Sequence, residues 1–406
     1  MVIDCVVVGA GPAGLAASSL LSGFGIEHVV LERARPGETW RTQRWDSLHL
    51  NNPGFMNTML GDQDPDTYLT GPEVVRRLEV LASRAPVFTG IDVVGVARLH
   101  GRWNLRTSAG QLQARTVVVA SGGENIPRVP SLANRLPDRI IQLHAATYRK
   151  LPDLPEGAVL VVGSAQSGTQ IAEDLLAAGR RVWLATCPVG RASANYRGRE
   201  TVRWLDEAGF FEHRPEDLPD PRLVRAVPAL LAPRGQNMSL QLLSEAGATL
   251  TGRLVAVEGE TLTFDGSTAA NIAYGDRSAA NIRSLIDAHI QAHGLDAPAA
   301  EPDPAERPIE IDPPRQLHLR AAGIGSVIWC TGYRGAFHWL GDDLTDSLGA
   351  PLRQGAASPA PGIWFIGLRW LIRRTSGNFI GFPRDAEVIA NDVRSFLTAR
   401  VARAGI

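Results

Sequence analysis

The chain opens Val2-Ile3-Asp4-Cys5-Val6-Val7-Val8-Gly9-Ala10-Gly11-Pro12-Ala13-Gly14-Leu15. The apolar, β-branched run from Val2 to Val8 suits a strand buried on both faces of a parallel sheet. A glycine turn breaks the run, and a helical pattern follows from Leu15 to about Ser22. Strand, glycine turn and helix in this order form the dinucleotide-binding fingerprint. Gly9 permits the tight turn, Gly11 lets the backbone approach a pyrophosphate, and Gly14 lets the helix pack closely on the strand. Pro12 and Ala13 stand at the positive end of the helix, where unpaired N–H groups suit a phosphate. A second apolar run, His28-Val29-Val30-Leu31, ends in Glu32, 18 residues past Gly14. That is near the spacing of about 20 at which an acid meets a ribose hydroxyl. Glu32 and its neighbour Arg33 are therefore expected at a cofactor. The plainer alternative is an ordinary strand-to-helix turn.

The fingerprint then repeats. Val159-Leu160-Val161-Val162 reads as a buried strand, Gly163-Ser164-Ala165-Gln166-Ser167-Gly168 follows, and Thr169 to Ala178 is helical. Gly163, Ser164, Gln166, Ser167 and Gly168 are the expected contacts with a second dinucleotide. Ala165 stands in place of the middle glycine, and one methyl group is a small obstruction. Arg181 to Ala185 is the next strand, but Thr186-Cys187-Pro188 occupy the place of the ribose-binding acid. Arg191, Arg197 and Arg199 come soon after. An acid would repel a 2′-phosphate, whereas arginine binds one bidentately. This second site reads as NADP rather than NAD, with Arg191 and Arg197 at the phosphate. The alternative is a set of arginines on a solvated loop.

At 406 residues the chain is long for a single core, so two domains are expected. The 41 basic and 42 acidic residues nearly cancel, which gives no reason to expect nucleic acid or an anionic membrane as a partner. The three cysteines, Cys5, Cys187 and Cys330, form no Cys-x-x-Cys, so a disulfide framework, a zinc site and a redox dithiol lack their signature. The first strand starts at residue 2 and no stretch of about 18 apolar residues occurs. A cytoplasmic protein without a membrane span or a metal site is the expectation.

The remaining pattern fills in an α/β fold of two Rossmann-like domains, the second inserted into the first. The expected segments are 1–150, 151–322 and 323–406. Arg33 to Asn57 is a long polar stretch, more functional than connective in character. Thr70 caps a helix to about Ser83, with Glu73 as its capping-box partner. Val93 to Leu99, Trp103 to Thr107 and Gln111 to Ala114 read as antiparallel strands, and Val117 to Ala120 as a separate buried one. Leu151 to Gly157 reads as the crossing between domains. Glu212 to Ala232 fits an insertion, helical from Pro221 to Leu231. Gly252 to Asp265 alternates like a strand pair, Ala279 to His293 is a helix, and Ala297 to Pro314 is a surface loop. The strands Val327 to Cys330 and Ile363 to Ile366 precede a final helix from about Arg384 to Ala402.

With both fingerprints in place, the chain resembles the single-component flavin-dependent monooxygenases, a family that includes N- and S-oxygenases and Baeyer–Villiger enzymes. Gly9, Gly11, Gly14 and Glu32 match its FAD fingerprint, and Gly163 and Gly168 its NADP fingerprint. Cys330-Thr331-Gly332-Tyr333 is similar to its Ala-Thr-Gly-Tyr linker. Gly37 and Trp40 resemble its Gly-Gly-x-Trp segment, with Glu38 replacing the second glycine. His144, Tyr148 and Arg149 match the second half of its identifying motif, whereas Asp138 and Ile140 fail the first half. Baeyer–Villiger members usually carry Trp or Pro where Tyr148 stands. The stretch from Gly367 to Asp385 resembles bacterial members that close the flavin site with it.

The resemblance implies FAD reduced by NADPH, then O2 uptake to a flavin C4a-(hydro)peroxide that transfers one oxygen atom to a small molecule. N- or S-oxygenation is the leading expectation, with Baeyer–Villiger oxygenation as the alternative. It implies Asn51, with Asn52 as second choice, as the amide supporting the oxygenated flavin; the alternative is that Asn-Asn-Pro is turn chemistry. Trp40, Arg41, Thr331, Gly332 and Asp385 are expected at the cofactors, and Trp370 near the flavin. His144 either orients the linker or contacts NADP. Monomer and homodimer both remain open. A reductase passing hydride to a disulfide needs a paired cysteine at the flavin, but a reductase for a quinone or protein partner does not. A protein keeping FAD as a structural or sensing element is the third reading, and it leaves the second fingerprint without a purpose.

Overall fold

The computed structural model describes residues 2–61 and 64–404. Its first sheet places Val2–Val8 at the centre, parallel to His28–Glu32 on one side and to Gly110–Val119 on the other. Val87–Thr89 extends the parallel side. Arg102–Thr107 and Val93–Leu99 extend the other side as an antiparallel meander. Val6, Val7, Val117 and Val118 are fully buried, as a parallel sheet covered on both faces requires.

Gly110–Val119 is one strand, although the sequence reads as two. Its first half pairs antiparallel with the meander, and its second half pairs parallel with Val2–Val8 and with Ile363–Phe365. Burial accordingly changes along it, from mostly exposed to continuously buried. That change mimics a break, but Arg115-Thr116 offers no turn chemistry to make one.

The second sheet is wholly parallel, in the order Thr249–Thr251, Val182–Ala185, Ala158–Val162, Ile324–Trp329, Ile141–His144. Its edge strand and Ile324–Trp329 both lie outside 151–322, so the sheet runs wider than the expected boundaries at both ends. The chain then returns to the first sheet through Ile363–Phe365, and the last helix, Gly381–Ala404, packs against the first, Pro12–Gly23.

Local chemistry accounts for several element ends. Thr70 and Glu73 form the expected capping box at the start of Gly71–Ala82. The long helix begins at Thr268, eleven residues before the expected Ala279, and ends at His293. The expected helix from Pro221 to Leu231 reduces to a 3-10 turn at Pro221–Arg225. Pro228 falls within the remainder and lacks the N–H a helix needs there. Ala297 to Pro314 forms no helix or strand, as expected, yet Ala305 and the side chain of Asp303 within it are buried. Among the described residues no helix is long and apolar enough to cross a membrane.

His144 ends the edge strand of the second sheet and ties it to the linker. Its Nδ1 accepts from the Ala146 N–H at 3.1 Å, which leaves Nε2–H to donate to the Gly332 carbonyl at 3.1 Å. The ring also meets Tyr333 edge-on at 4.9 Å. Burial holds the His144 pKa below that of a free imidazole. His28, bonded to Ser18 and Ile26, is lowered for the same reason.

A ring kept neutral in the folded state takes up its proton in the unfolded chain first. Its effect is nil above about pH 6.5, and stability falls as pH drops below that value until the folded ring also titrates. Urea unfolding at pH 7.5 and 5.5 should show wild-type protein losing more stability on acidification than His144→Gln, whose amide keeps both hydrogen-bond roles. Equal losses would show that His144 does not carry the effect.

Candidate functional site

The two glycine turns are built alike. In the first, Gly9 N–H bonds to Leu31 O at 2.8 Å, Ala120 N–H to Val8 O at 2.9 Å, and Leu15 N–H to Gly11 O at 3.0 Å. In the second, Gly163 N–H bonds to Ala185 O at 2.9 Å, Cys330 N–H to Val162 O at 2.8 Å, and Thr169 N–H to Ala165 O at 3.0 Å. Gly9 and Gly163 lie at φ +110° and +107°, and a Cβ on either would strike the carbonyl of Ala120 or Cys330.

Gly11 is different. It starts its helix at φ −76°, a conformation open to any residue, and beyond its two chain neighbours no protein atom lies within 4 Å of where its Cβ would be. The helix also has no side-chain cap for its first N–H groups. Packing therefore gives no reason for glycine at position 11, and close approach of a pyrophosphate does. Ala165, at φ −78° and ψ −174°, holds the matching backbone conformation. Ser167 lies in the first turn of Gln166–Ala177, and Ser164 donates to the Cys187 carbonyl at 3.3 Å.

Glu32 is 9% exposed and staples the first turn: Oε2 accepts from Ala10 N–H at 2.8 Å and Oε1 from Ala34 N–H at 2.9 Å. Each oxygen keeps a lone pair for a ribose hydroxyl. Gly37 N–H donates to Ala10 O at 3.1 Å, which seats the short helix Glu38–Thr42 against the same turn. Trp40 then packs on Phe379 at 5.4 Å between centroids. Arg41 pairs with Glu79 at 2.6 Å, and Arg33 is exposed.

A strap from Gly367 to Gly381 crosses this region. Gly367 lies so close to Ala13 that a Cβ there would come within 2.7 Å of the alanine methyl. Behind the strap, Asp385 is fully buried, with Oδ1 accepting from Arg373 Nε at 3.0 Å and Oδ2 lacking any partner. Burial raises its pKa. Thr331 Oγ1 donates to Arg128 O, and Gly332 O accepts from Arg128 N–H at 2.9 Å as well as from His144. The linker residues are thus pinned to the second edge strand and its approach.

The two asparagines part company. Asn51 Nδ2 donates to Gln166 Oε1 at 3.1 Å, so the polar stretch after Trp40 meets the second glycine turn directly. Gln166 also accepts from Leu231 N–H at 3.1 Å and donates to Leu231 O at 3.2 Å, which draws in the insertion. Asn52 is buried and its amide closes on Asn57, which in turn donates to Asn52 O and Pro53 O. One N–H of the Asn52 amide is thus used in shaping this turn. Tyr148 is buried among residues such as Val159, Val161 and Ile171, and Arg149 donates to Arg44 O at 2.9 Å.

The arginines expected at a 2′-phosphate are committed elsewhere. Arg191 is 3% exposed at its side chain and bonds to Asp276 at 2.7 Å and Asp303 at 2.6 Å. Arg197 pairs with Asp287 at 2.6 Å, and Arg199 with Glu207 at 2.7 Å. Guanidinium groups already satisfied by carboxylates have little to offer a phosphate. Burial alone would raise the Asp303 pKa, but its bonds from Arg191 and Ala305 N–H bring it below the usual carboxylate value. Of these partners, Asp276, Asp287, Asp303 and Glu207, only Asp303 lies in the acid-rich 297–314 stretch. At the end of Val182–Ala185 the missing acid is replaced by Thr186, whose hydroxyl donates to Thr251 O at 2.7 Å and accepts from Asn271 at 2.9 Å. Among the described residues no group of His, Cys, Asp and Glu is placed to hold a metal.

The sequence profile of a family described as pyridine nucleotide-disulphide oxidoreductase matches residues 6–203. An uncharacterized CzcO-like oxidoreductase of Geobacillus kaustophilus is 26% identical over 404 residues, 97% of this chain and 98% of the relative. Indole-3-pyruvate monooxygenase YUCCA1 of Oryza sativa is 32% identical over 185 residues, 43% of this chain and 46% of that protein. The solved structure of a flavin-containing monooxygenase from Stenotrophomonas maltophilia matches with a TM-score of 0.66 and 21% identity, covering 98% of this chain and 100% of that one. At that identity the likeness speaks for the fold.

Removing Arg191 should therefore act on stability. Arg191→Ala leaves Asp276 without its cation and the Asp303 side chain with Arg283 alone, which should cost roughly 1.5–3 kcal/mol in urea unfolding. The ratio of kcat/KM for NADPH over NADH should move less than about tenfold, the equivalent of about 1.4 kcal/mol. Unchanged stability with a collapsed cofactor ratio would return Arg191 to the phosphate site.

Proposed function

We propose that this chain is a single-component flavin-dependent monooxygenase, which uses FAD and NADPH to insert one oxygen atom of O2 into a small-molecule substrate. N- or S-oxygenation is the leading form, on the same ground as before: Tyr148 stands where Baeyer–Villiger members usually carry Trp or Pro. The first sheet would hold FAD at the Gly9–Gly14 turn, and the second, taken as residues 141–329, would hold NADPH at the Gly163–Gly168 turn. The three cysteines are unpaired thiols, which fits a reducing, cytoplasmic setting.

The observation that carries this reading is the Asn51–Gln166 bond of 3.1 Å. It links the polar stretch beside the first turn to the helix start of the second, so two dinucleotide sites converge where hydride would pass between them. Bound FAD would supply the redox chemistry, accepting hydride from NADPH and activating O2. The chain's residues would bind, orient and shield. The Gly11 backbone and the first N–H groups of Pro12–Gly23 would take the pyrophosphate, and Glu32 the ribose. Trp40, Phe379 and Phe382, with neighbouring ring centroids 5.4 and 5.8 Å apart, form an apolar wall that excludes water. Asn51 has a second N–H without a partner among the described residues, available to a developing negative charge.

A disulfide reductase fits less well. Burial pushes the thiols of Cys5 and Cys330 up to about 12, so neither is a thiolate at neutral pH, and Cys330 lies on the second glycine turn rather than the first.

A screen of amines, sulfides and ketones, following NADPH and O2 consumption, product and released hydrogen peroxide together, tests the proposal. An oxygenase couples NADPH use to product for at least one class; NADPH oxidation with peroxide and no product across all classes would mark a reductase or oxidase. In Asn51→Ala, flavin content and NADPH-driven reduction should stay near wild type while product per NADPH falls roughly 100-fold and peroxide rises. Normal coupling in that variant would remove Asn51 from the reaction.

A further inference from the structure

The strap that crosses the first turn holds three arginines, and they are not alike. Arg373 is spent on Asp385 and Glu212. Arg384, just beyond, is spent on Glu212 and Asp206. Arg374 has no carboxylate partner, no acceptor for its guanidinium among the described residues, and a buried Nε with nothing to bond. Its charge centre lies 3.9 Å from the Phe210 ring centroid and 4.7 Å from that of Trp370. Burial lowers its pKa to about 10, so it remains a cation at neutral pH, held in a partly desolvated place.

Such a cation is costly unless something arrives to pair with it. A guanidinium stacked on ring faces keeps its edge free, and that edge matches a carboxylate in two parallel hydrogen bonds. Two further features mark the place as built for use. Trp370 is held at φ +50°, a left-handed conformation that a bulky residue adopts only under constraint. Arg369 adds a second cation without a carboxylate, its Nη2 on the Ala226 carbonyl of the insertion at 2.7 Å. The Arg374 backbone N–H also donates to His213 O at 2.7 Å, so this stretch faces the insertion and not the glycine turn.

We infer that Arg374, stacked on Phe210 and Trp370, is the anion-recognition residue of the substrate pocket, and that the substrate carries a carboxylate on an aromatic or apolar body. Arg374 is a binding residue in this account and takes no part in oxygen transfer. The inference rests on the proposed oxygenase reading only in taking strap and insertion as the substrate's walls.

Calorimetric titration of the purified protein with 3-phenylpropanoate and with its neutral counterpart 3-phenylpropanamide tests it, with FAD content measured alongside. Wild type should bind the carboxylate at least about tenfold more tightly than the amide, as a charge-assisted pair implies. Arg374→Gln should bring that ratio close to one with FAD content unchanged, and Arg374→Lys, which keeps the charge without the fork, should retain part of it. Absence of a carboxylate preference in wild type, or an unchanged ratio in Arg374→Gln, overturns the inference. Loss of FAD from Arg374→Gln overturns it too, since the guanidinium then serves the cofactor. A preference that persists and depends on Arg374 in a protein that holds no FAD would sink the oxygenase reading and leave the anion site standing.

Discussion

The first helix approaches its strand so closely that no side-chain carbon fits between them at Gly14. A methyl there would sit 2.0 Å from the Gly9 carbonyl oxygen, and at Gly168 the matching distance to Gly163 is 1.8 Å. This contact sets where each helix N-terminus points, and later segments are fixed to the first turn. Glu32 bonds to Ala10, Gly37 bonds to Ala10, and Gly367 rests on Ala13. A wider helix–strand gap at Gly14 would shift the Trp40 segment, the strap and the ribose acid together, because all three take their position from Ala10 or Ala13.

A second layer of organisation is ionic. Glu212, at the start of the insertion, takes both Arg373 and Arg384, and Arg373 also neutralises buried Asp385. On the other side, Tyr68 and Arg203 converge on Glu200, joining the 64–70 stretch to the residues before the insertion. Half-exposed pairs of this kind contribute little stability each. Their effect is positional: they hold the insertion against the strap, and Glu200 against the 64–70 stretch.

The sequence made some of this legible and hid the rest for a consistent reason. Gly9, Gly14, Gly163 and Gly168 could be read because local backbone packing demands glycine there. Thr70 and Glu73 could be read because a capping box is a contact between near neighbours. Arg191 could not, because its partners Asp276 and Asp303 lie 85 and 112 residues away. Charge counts along a segment do not reveal who neutralises whom. Asn51 and Asn52 look alike in sequence and differ only in which amide reaches across to Gln166. The strand Gly110–Val119 was split because its burial changes where its pairing partner changes. Arg374 is hidden for the opposite reason: it stands out only once Arg373 and Arg384 are seen to be paired with carboxylates.

Position 11 is glycine for the sake of a bound dinucleotide, whereas position 14 is glycine for packing. The most direct measurement is the FAD content of purified wild-type protein and of Gly11→Asp, by visible absorbance after reconstitution, with circular dichroism and urea unfolding run in parallel. Wild type should be yellow and hold FAD, and Gly11→Asp should be colourless yet folded and close to wild-type stability. A wild type that takes up no flavin on reconstitution would contradict it, as would a Gly11→Asp variant that binds FAD as well as wild type.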